Sequence, residues 1–518
     1  MSTGEPMTTL SMSRWLAFAA LLLSVSTAGA ADYWHYRYRG IDVTAAGSEQ
    51  YVIDLAHNMR RLDTAIVTVL PLELGDWRPR TLIYAVPPDE LKRLLGADSD
   101  TATQFTANGF MNVVVMDNIT SSEVHYWQAY FGYAGSLLVS EGALRYPDWF
   151  RQGVSKVFAA TVISGDRITI GGYDQSTVYA LMSRPLMPMR KFLHLRVDDP
   201  QLVAKDASYQ YEAQCWFLAH LITIDKLFEK EFSSYLQLVS GGQSEDAAFA
   251  ASFTMSYEDL DRSLAAALRA GKIRTLAVKV PDEPVTTRPV RLSAAAAKGR
   301  LAVFATATEG SRDYGVKLAS EALAADPTDE YALRALAVAQ IRREQYGDAL
   351  ATLDKLAANS SLSAAGCGES GELLIAVARA IRSKKATLSA DPAALARRAY
   401  DDYRRAIVLE AESLDYWAGL ADAYGEERDV TGAKELLPKI EQVFYLHPRN
   451  SALASHIARM SGEVGDLDDA IKFAVAWKAN AVSDQSRDGA VAFLSRVQAA
   501  RERQNLLQPG TAAQGTSH

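Results

Sequence analysis

The chain has 518 residues, 48% of them hydrophobic and 22% charged, with a formal net charge of −8. That length fits two or three domains, and the apolar content is enough for sizeable cores. No lysine- or arginine-rich block is present, so nucleic acid is not an expected partner.

Arg14 precedes an apolar run, Trp15–Val25, and Ala28-Gly29-Ala30 forms a small-residue cleavage site. This is the layout of a secretory signal peptide over residues 1–30, cleaved after Ala30. An uncleaved anchor is the alternative, but the run is short for a membrane span. No cysteine lies near the cleavage site, so a lipid anchor is not expected. No later segment reads as a span, so no stable membrane span is expected after cleavage. In a Gram-negative source the mature protein would be periplasmic or secreted. Cys215 and Cys367 could pair in that compartment. They fall in different expected domains and read as buried free thiols.

Residues 32–280 read as mixed α and β. Val52, Leu55, Met59, Leu62, Ile66 and Val69 recur at three and four residues, one face of a helix. Thr81–Ala85 and Asn112–Met116 are apolar, β-branched runs and predict strands. Helices are predicted over Ser121–Val139 and Pro147–Thr161, with Pro147 in the first turn, where its missing N–H costs nothing. Arg167–Ile170, closed by Gly171-Gly172, predicts a strand, and Gln210–Phe228 a long apolar helix. Pro281, Pro284 and Pro289 predict an extended spacer over residues 281–292.

From residue 293 to 505 the chain is alanine-rich and repetitive. Ala349, Ala399, Ala433 and Ala470 read as equivalent points, the last three separated by 34 and 37 residues. Ala337, Ala421 and Ala458 lie twelve residues before three of them. Small residues at both points let two helices of one repeat approach closely. Pro327 and Pro448 stop the second helices. This resembles the tetratricopeptide repeat, with its period of about 34 residues; a generic helical bundle is the alternative and needs no such period. Asn359–Glu372, rich in serine and glycine, predicts an inserted loop, and residues 506–518 a disordered tail.

The segment Pro147-Asp-Trp149-Phe-Arg-Gln152-Gly153-Val-Ser-Lys156 resembles a motif of peptidase-MA-like, gluzincin-type metallopeptidases. That motif has the form Pro-x-Trp-hydrophobic-x-Glu-Gly-hydrophobic-Ala-Glu. Ser164–Gly171 is similar to the family's next strand. Tyr211, Trp216 and His220 resemble its Tyr-x-x-x-Trp-x-x-x-His helix, with one extra residue after Tyr211. The resemblance covers roughly residues 33–270. It implies an α+β gluzincin-like N-terminal domain, followed by an all-α tetratricopeptide-repeat solenoid.

The resemblance also implies a zinc motif, His-Glu-x-x-His, on the preceding helix. There both histidines face the metal and the glutamate is the base. Family spacing places it on Phe131, Gly132, Tyr133, Ala134 and Gly135. Phe131 and Gly135 carry no lone pair for zinc, and Gly132 has no carboxylate. The third ligand position is Gln152, a neutral amide. Catalytic zinc needs three protein ligands and an open position, so a conventional site is not expected. Setting the motif on His125 still lacks the base and the second ligand. His220, on an apolar helix, reads as a core histidine. No cofactor is expected.

Three functions fit this reading. The first is a catalytically inactive metallopeptidase-like domain joined to repeats that bind a protein or peptide partner, an adaptor or scaffold. Arg334, Arg342, Asp422 and Arg459 fall on first helices, which line the concave surface of such arrays. The second is an atypical peptidase or hydrolase active at a non-standard site. The third makes the repeats the functional part and the first domain a spacer. Gly132, Ala134 and Gly135 form a small-residue surface, against which a neighbouring element packs or a shallow groove remains.

Overall fold

The computed structural model describes residues 32–70, 78, 80–96, 103–107, 111–118, 124–140, 146–173, 175–197, 199–281, 284–285, 287–427, 430–481 and 484–507. The expected signal peptide and the tail beyond 507 lie outside these residues, as does the side chain of His125.

The first unit is built on a six-stranded sheet. Its strands are β1 (Tyr33–Tyr38), β2 (Ile41–Ala46), β3 (Arg80–Val86), β4 (Thr103–Ala107), β5 (Met111–Asp117) and β9 (Val290–Arg291), in the order β4-β5-β3-β2-β1-β9. β2 and β5 both run parallel to β3, and the remaining pairings are antiparallel. Helix α1 (Glu49–Val69) crosses over between β2 and β3. Ser48 caps it by accepting from the Tyr51 N–H at 3.1 Å. Its predicted stripe is buried throughout: Val52, Leu55, Met59, Leu62 and Ile66 have no exposed surface.

Helix α2 (Pro88–Leu95) follows β3, and α3 (Val124–Ser140) and α4 (Asp148–Ala159) follow β5. Pro147 stands one residue earlier than expected, at the N-cap of α4. A small sheet of β6 (Val162–Ser164), β7 (Arg167–Ile170) and β8 (Leu276–Lys279) comes next in space. Between β7 and β8 lie α5 (Gln175–Ser183), α6 (Met189–Phe192), α7 (Lys205–Thr223), α8 (Glu229–Ser240), α9 (Glu245–Ser252) and α10 (Tyr257–Ala270). The helix expected over 210–228 is α7, which starts and stops five residues earlier. Lys226 and Phe228 adopt left-handed backbone at φ 60° and 55°, which a right-handed helix cannot continue through.

The second unit is a run of paired helices. They are α11 (Ala294–Ala307) with α12 (Arg312–Ala325), α13 (Glu330–Arg342) with α14 (Tyr346–Ala357), and α15 (Ala364–Arg382) with α16 (Pro392–Leu409). Then come α17 (Leu414–Glu427) with α18 (Val430–Leu446), α19 (Ser451–Val464) with α20 (Leu467–Asn480), and a last helix α21 (Asp484–Leu507). Partners start sixteen residues apart in three pairs, at 330 and 346, 414 and 430, and 451 and 467. Ala337, Ala421 and Ala458 are buried on first helices, and Ala349, Ala399, Ala433 and Ala470 on second helices. Pro327 and Pro448 follow the ends of α12 and α18.

Two expectations are corrected. Most of Asn359–Glu372 is the start of α15, not an inserted loop. Its glycines receive neighbours that a larger residue would have to displace. A Cβ on Gly366 would lie 2.5 Å from Glu330, and one on Gly368 would lie 2.4 Å from the Tyr416 ring. The extra length falls after α15 instead, between residues 383 and 391.

The segment 281–292 is not a free spacer. Val290 and Arg291 pair with β1, and the Leu292 N–H donates to the Tyr33 carbonyl at 2.8 Å. The sheet also carries the helix array directly. Ile83, Ala85 and Val114 face α1, whereas Tyr84, Val86 and Val115 form a core with Leu301, Ala302, Phe304 and Ala305 of α11 and Leu318 of α12. Period-two alternation along β3 thus places one face in each unit's core.

Candidate functional site

The residues that the metallopeptidase resemblance singles out come together on α3 and α4, in a setting of packing. Phe131 stacks on Trp127 with ring centroids 5.3 Å apart. Gly132 is buried and Gly135 half-buried. A Cβ on Gly135 would lie 3.0 Å from the Ser155 hydroxyl of α4, so the small-residue surface is where α4 sits. The Tyr133 hydroxyl donates to buried Asp63 of α1 at 3.2 Å, and Asp63 also accepts from Arg60 and Arg78 at 2.7 and 2.6 Å. Gln152 is half-buried. Lys156, at the motif's trailing glutamate position, pairs with Glu212 at 2.8 Å and lies over the Trp127 ring.

The motif's matching residues are architectural. Trp149 is fully buried against Phe150, Phe192 and Phe232. Gly153 lets α4 touch α7, where a Cβ would fall 2.2 Å from the Cys215 carbonyl oxygen. On α7, the Trp216 indole N–H donates to the Gly172 carbonyl at 3.2 Å. His220 is a core histidine: its Nε2 lies 2.8 Å from the Arg274 carbonyl oxygen, and its Nδ1 3.4 Å from Asp225. Burial holds its pKa below the ordinary histidine value. Cys215 and Cys367 are both buried free thiols. Among the described residues no three His, Cys, Asp or Glu side chains group to hold a metal ion.

A different site is more open. A cavity of about 400 Å³ lies between the sheet and the helix array. Every first helix from α11 to α19 contributes to its wall, through Arg300, Arg334, Glu372, Asp422 and His456 among others. Asp42, Arg80, Leu82 and Tyr84 of β2 and β3 close the other side. Two of the four expected partner-binding residues, Arg334 and Asp422, are here. Arg342 is exposed on α13. Arg459 lies apart, over the Trp477 ring in a hollow bordered by α21.

The cavity's guanidinium groups are already engaged. Arg334 is buried rather than displayed to solvent as expected, and pairs with Glu369 at 2.6 Å and Glu330 at 3.1 Å. Asp42 lies 3.2 Å from Arg80, 3.9 Å from Arg300 and 2.9 Å from His35. Arg300 also stacks over Tyr331 at 4.0 Å. Arg379 pairs with Asp422 and Glu426, each at 2.7 Å. Burial alone would raise the Asp42 pKa, but the His35 bond and the two arginines outweigh it and hold it well below the usual carboxylate range. Sequence reasoning missed Glu372, Tyr403, Asp415, Tyr416 and His456. The one available signal was the trio Gly366, Gly368 and Gly371, which marks a helix face approached by large side chains.

No family profile matches the chain, and no curated protein matches it. Solved structures to which it is similar include a thermophilic TPR protein of Thermus thermophilus, 22% identical, covering 39% of this chain and 99% of that one with a TM-score of 0.29. Another is MamA, 18% identical, covering 38% and 94% with a TM-score of 0.24. Yeast Tom70 is 13% identical, covering 73% and 82% with a TM-score of 0.24. These overlaps are too small to define the fold, which rests on the helix pairing described above. No helix among the described residues is long and apolar enough to cross a membrane.

Proposed function

We propose that this chain is a protein-binding adaptor or scaffold. In this reading a gluzincin-like domain without catalysis supports a tetratricopeptide-like array, and the protein is exported to the periplasm or secreted. The observation that carries the reading is the cavity whose wall takes residues from every first helix from α11 to α19 and from the sheet. Repeat arrays bind partners on such concave surfaces. The packed aromatic and glycine contacts of α3 and α4 favour a structural role for the region where the resembled family keeps its metal.

The test uses the full chain as bait. Ala376 borders the cavity and is half-buried, so Ala376→Trp narrows it. Partners captured by the wild-type chain and lost with the variant support the reading; the same partners retained by both overturn it. Peptidase activity is assayed on mixed peptides with and without zinc. Turnover that follows the folded protein would overturn the assignment of inactivity.

A further inference from the structure

The cavity has an acidic end, and its charges do not balance. Five carboxylates line it, from Asp42, Glu369, Glu372, Asp415 and Asp422, against four guanidinium groups, from Arg80, Arg300, Arg334 and Arg379. Each arginine has an acidic partner within 4 Å. Glu372 and Asp415 have no cationic partner at that distance among the described residues. Asp415 accepts a hydrogen bond from Ser413, and Glu372 stands open to the cavity.

A second feature points to the same place. Tyr403 belongs to α16, a second helix, yet its side chain reaches the cavity. The ring passes between Gly371 of α15 and Gly419 of α17, where a Cβ would lie 2.8 Å and 2.2 Å from it. Tyr403 is 6% exposed, and its hydroxyl makes no hydrogen bond among the described residues. Beside it, Tyr416 lies over Gly368. The charges facing Glu372 and Tyr403 are Glu369 of α15, Asp415 and Asp422 of α17, Arg342 of α13 and Arg379 of α15. Burial, then Glu369, Asp415 and Asp422, push the Glu372 carboxyl above its ordinary value. Burial leads the upward shift of Asp415 as well. Arg342 near Glu372 and Arg80 near Asp415 offset these shifts only in part.

We propose that this end of the cavity binds one basic side chain, arginine or lysine, of a peptide partner laid along the array. Glu372 and Asp415 are the counter-charges. The Tyr403 hydroxyl oxygen accepts an N–H of the incoming cation. The volume, near the low end of the roughly 300–1,000 Å³ range for ligand clefts, suits a side chain and not a folded element. An acidic side chain would meet Glu372, Asp415 and Asp422 and be repelled. This inference rests on the adaptor reading and names the chemistry its groove selects.

The experiment titrates the full chain with two labelled pentapeptides, one with a central arginine and one with glutamine there, and with free N-acetylarginine amide. The arginine peptide is expected to bind at least about ten-fold more tightly than either, a difference of about 1.4 kcal/mol. Glu372→Gln alone should shrink the preference, and Glu372→Gln with Asp415→Asn should abolish it, with the melting temperature of each variant checked. Equal binding of the two peptides, or a preference that survives the double variant, overturns the proposal. Free N-acetylarginine amide binding as tightly as the peptide overturns the peptide assignment. Equal peptide binding that Ala376→Trp removes leaves the adaptor reading intact, so the two failures are separable.

Discussion

Asp42, near the start of β2, answers two arginines and a histidine at the junction. Removing one partner of a buried, hydrogen-bonded charge cluster costs roughly 3–5 kcal/mol. Asp42→Ala is therefore expected to lower unfolding stability by about that amount in urea titrations. The sign of its pH effect follows from its depressed pKa. The stabilisation is fully present above the unfolded carboxylate value of about 3.9 and is lost as pH falls through the lower folded value. Wild-type stability should decline below about pH 4, and Asp42→Ala should flatten that decline. Glu372 has the opposite sign, since its folded pKa is raised. Glu372→Gln should leave the melting temperature unchanged or higher at neutral pH. The Tyr403 passage makes a third residue-scale prediction. Gly419→Ala places a methyl 2.2 Å from the ring and should cost about 1–3 kcal/mol by overpacking. On a Tyr403→Ala background most of that cost should vanish, which a double-mutant cycle measures.

At the scale of elements, α4 and α15 are both held by glycines that allow close contact. Gly153 sets the approach of α4 to α7 at the Cys215 carbonyl, and Gly153→Ala is expected to destabilise by at least about 1–3 kcal/mol in urea unfolding. Helix α15 shows the limits of local propensity. Glycine inside a helix costs about 0.8–1.0 kcal/mol against alanine, so Gly366, Gly368 and Gly371 read locally as loop. Packing of Glu330, Tyr416 and Tyr403 against them outweighs that preference. The stripe of α1, the strand β7 and the alanine points of the helix pairs were legible from periodicity, because each buries a single face. The cavity was not legible, because its wall is assembled from five first helices, two strands and one tyrosine from a second helix.

For the whole molecule, the shared core decides whether the two units are independent. Tyr84, Val86 and Val115 from the sheet pack with Leu301 and Phe304 of α11, and β9 closes the sheet from the segment between the units. Calorimetry of the full chain should show the sheet unit and the first helix pairs unfolding in one transition. Phe304→Ala should cost about 3–5 kcal/mol and lower that transition without splitting it. Two well-separated transitions, with only one moved by the variant, would count against a shared core.

By itself the sequence determined the α and β character of the first unit, the helical character of the second, the spacing of its helix pairs, and the core role of His220. These follow from local periodicity and residue size, which each segment carries with it. Tertiary structure alone decided that the glycine-rich stretch is helical, that the proline-rich segment supplies a strand, and that Arg334 is consumed by Glu330 and Glu369. It also decided that Glu372 and Asp415, beside Tyr403, have no ion-pair partner within 4 Å among the described residues. Those outcomes depend on which distant groups meet, and charge compensation is a property of the assembled cavity, not of any segment that lines it.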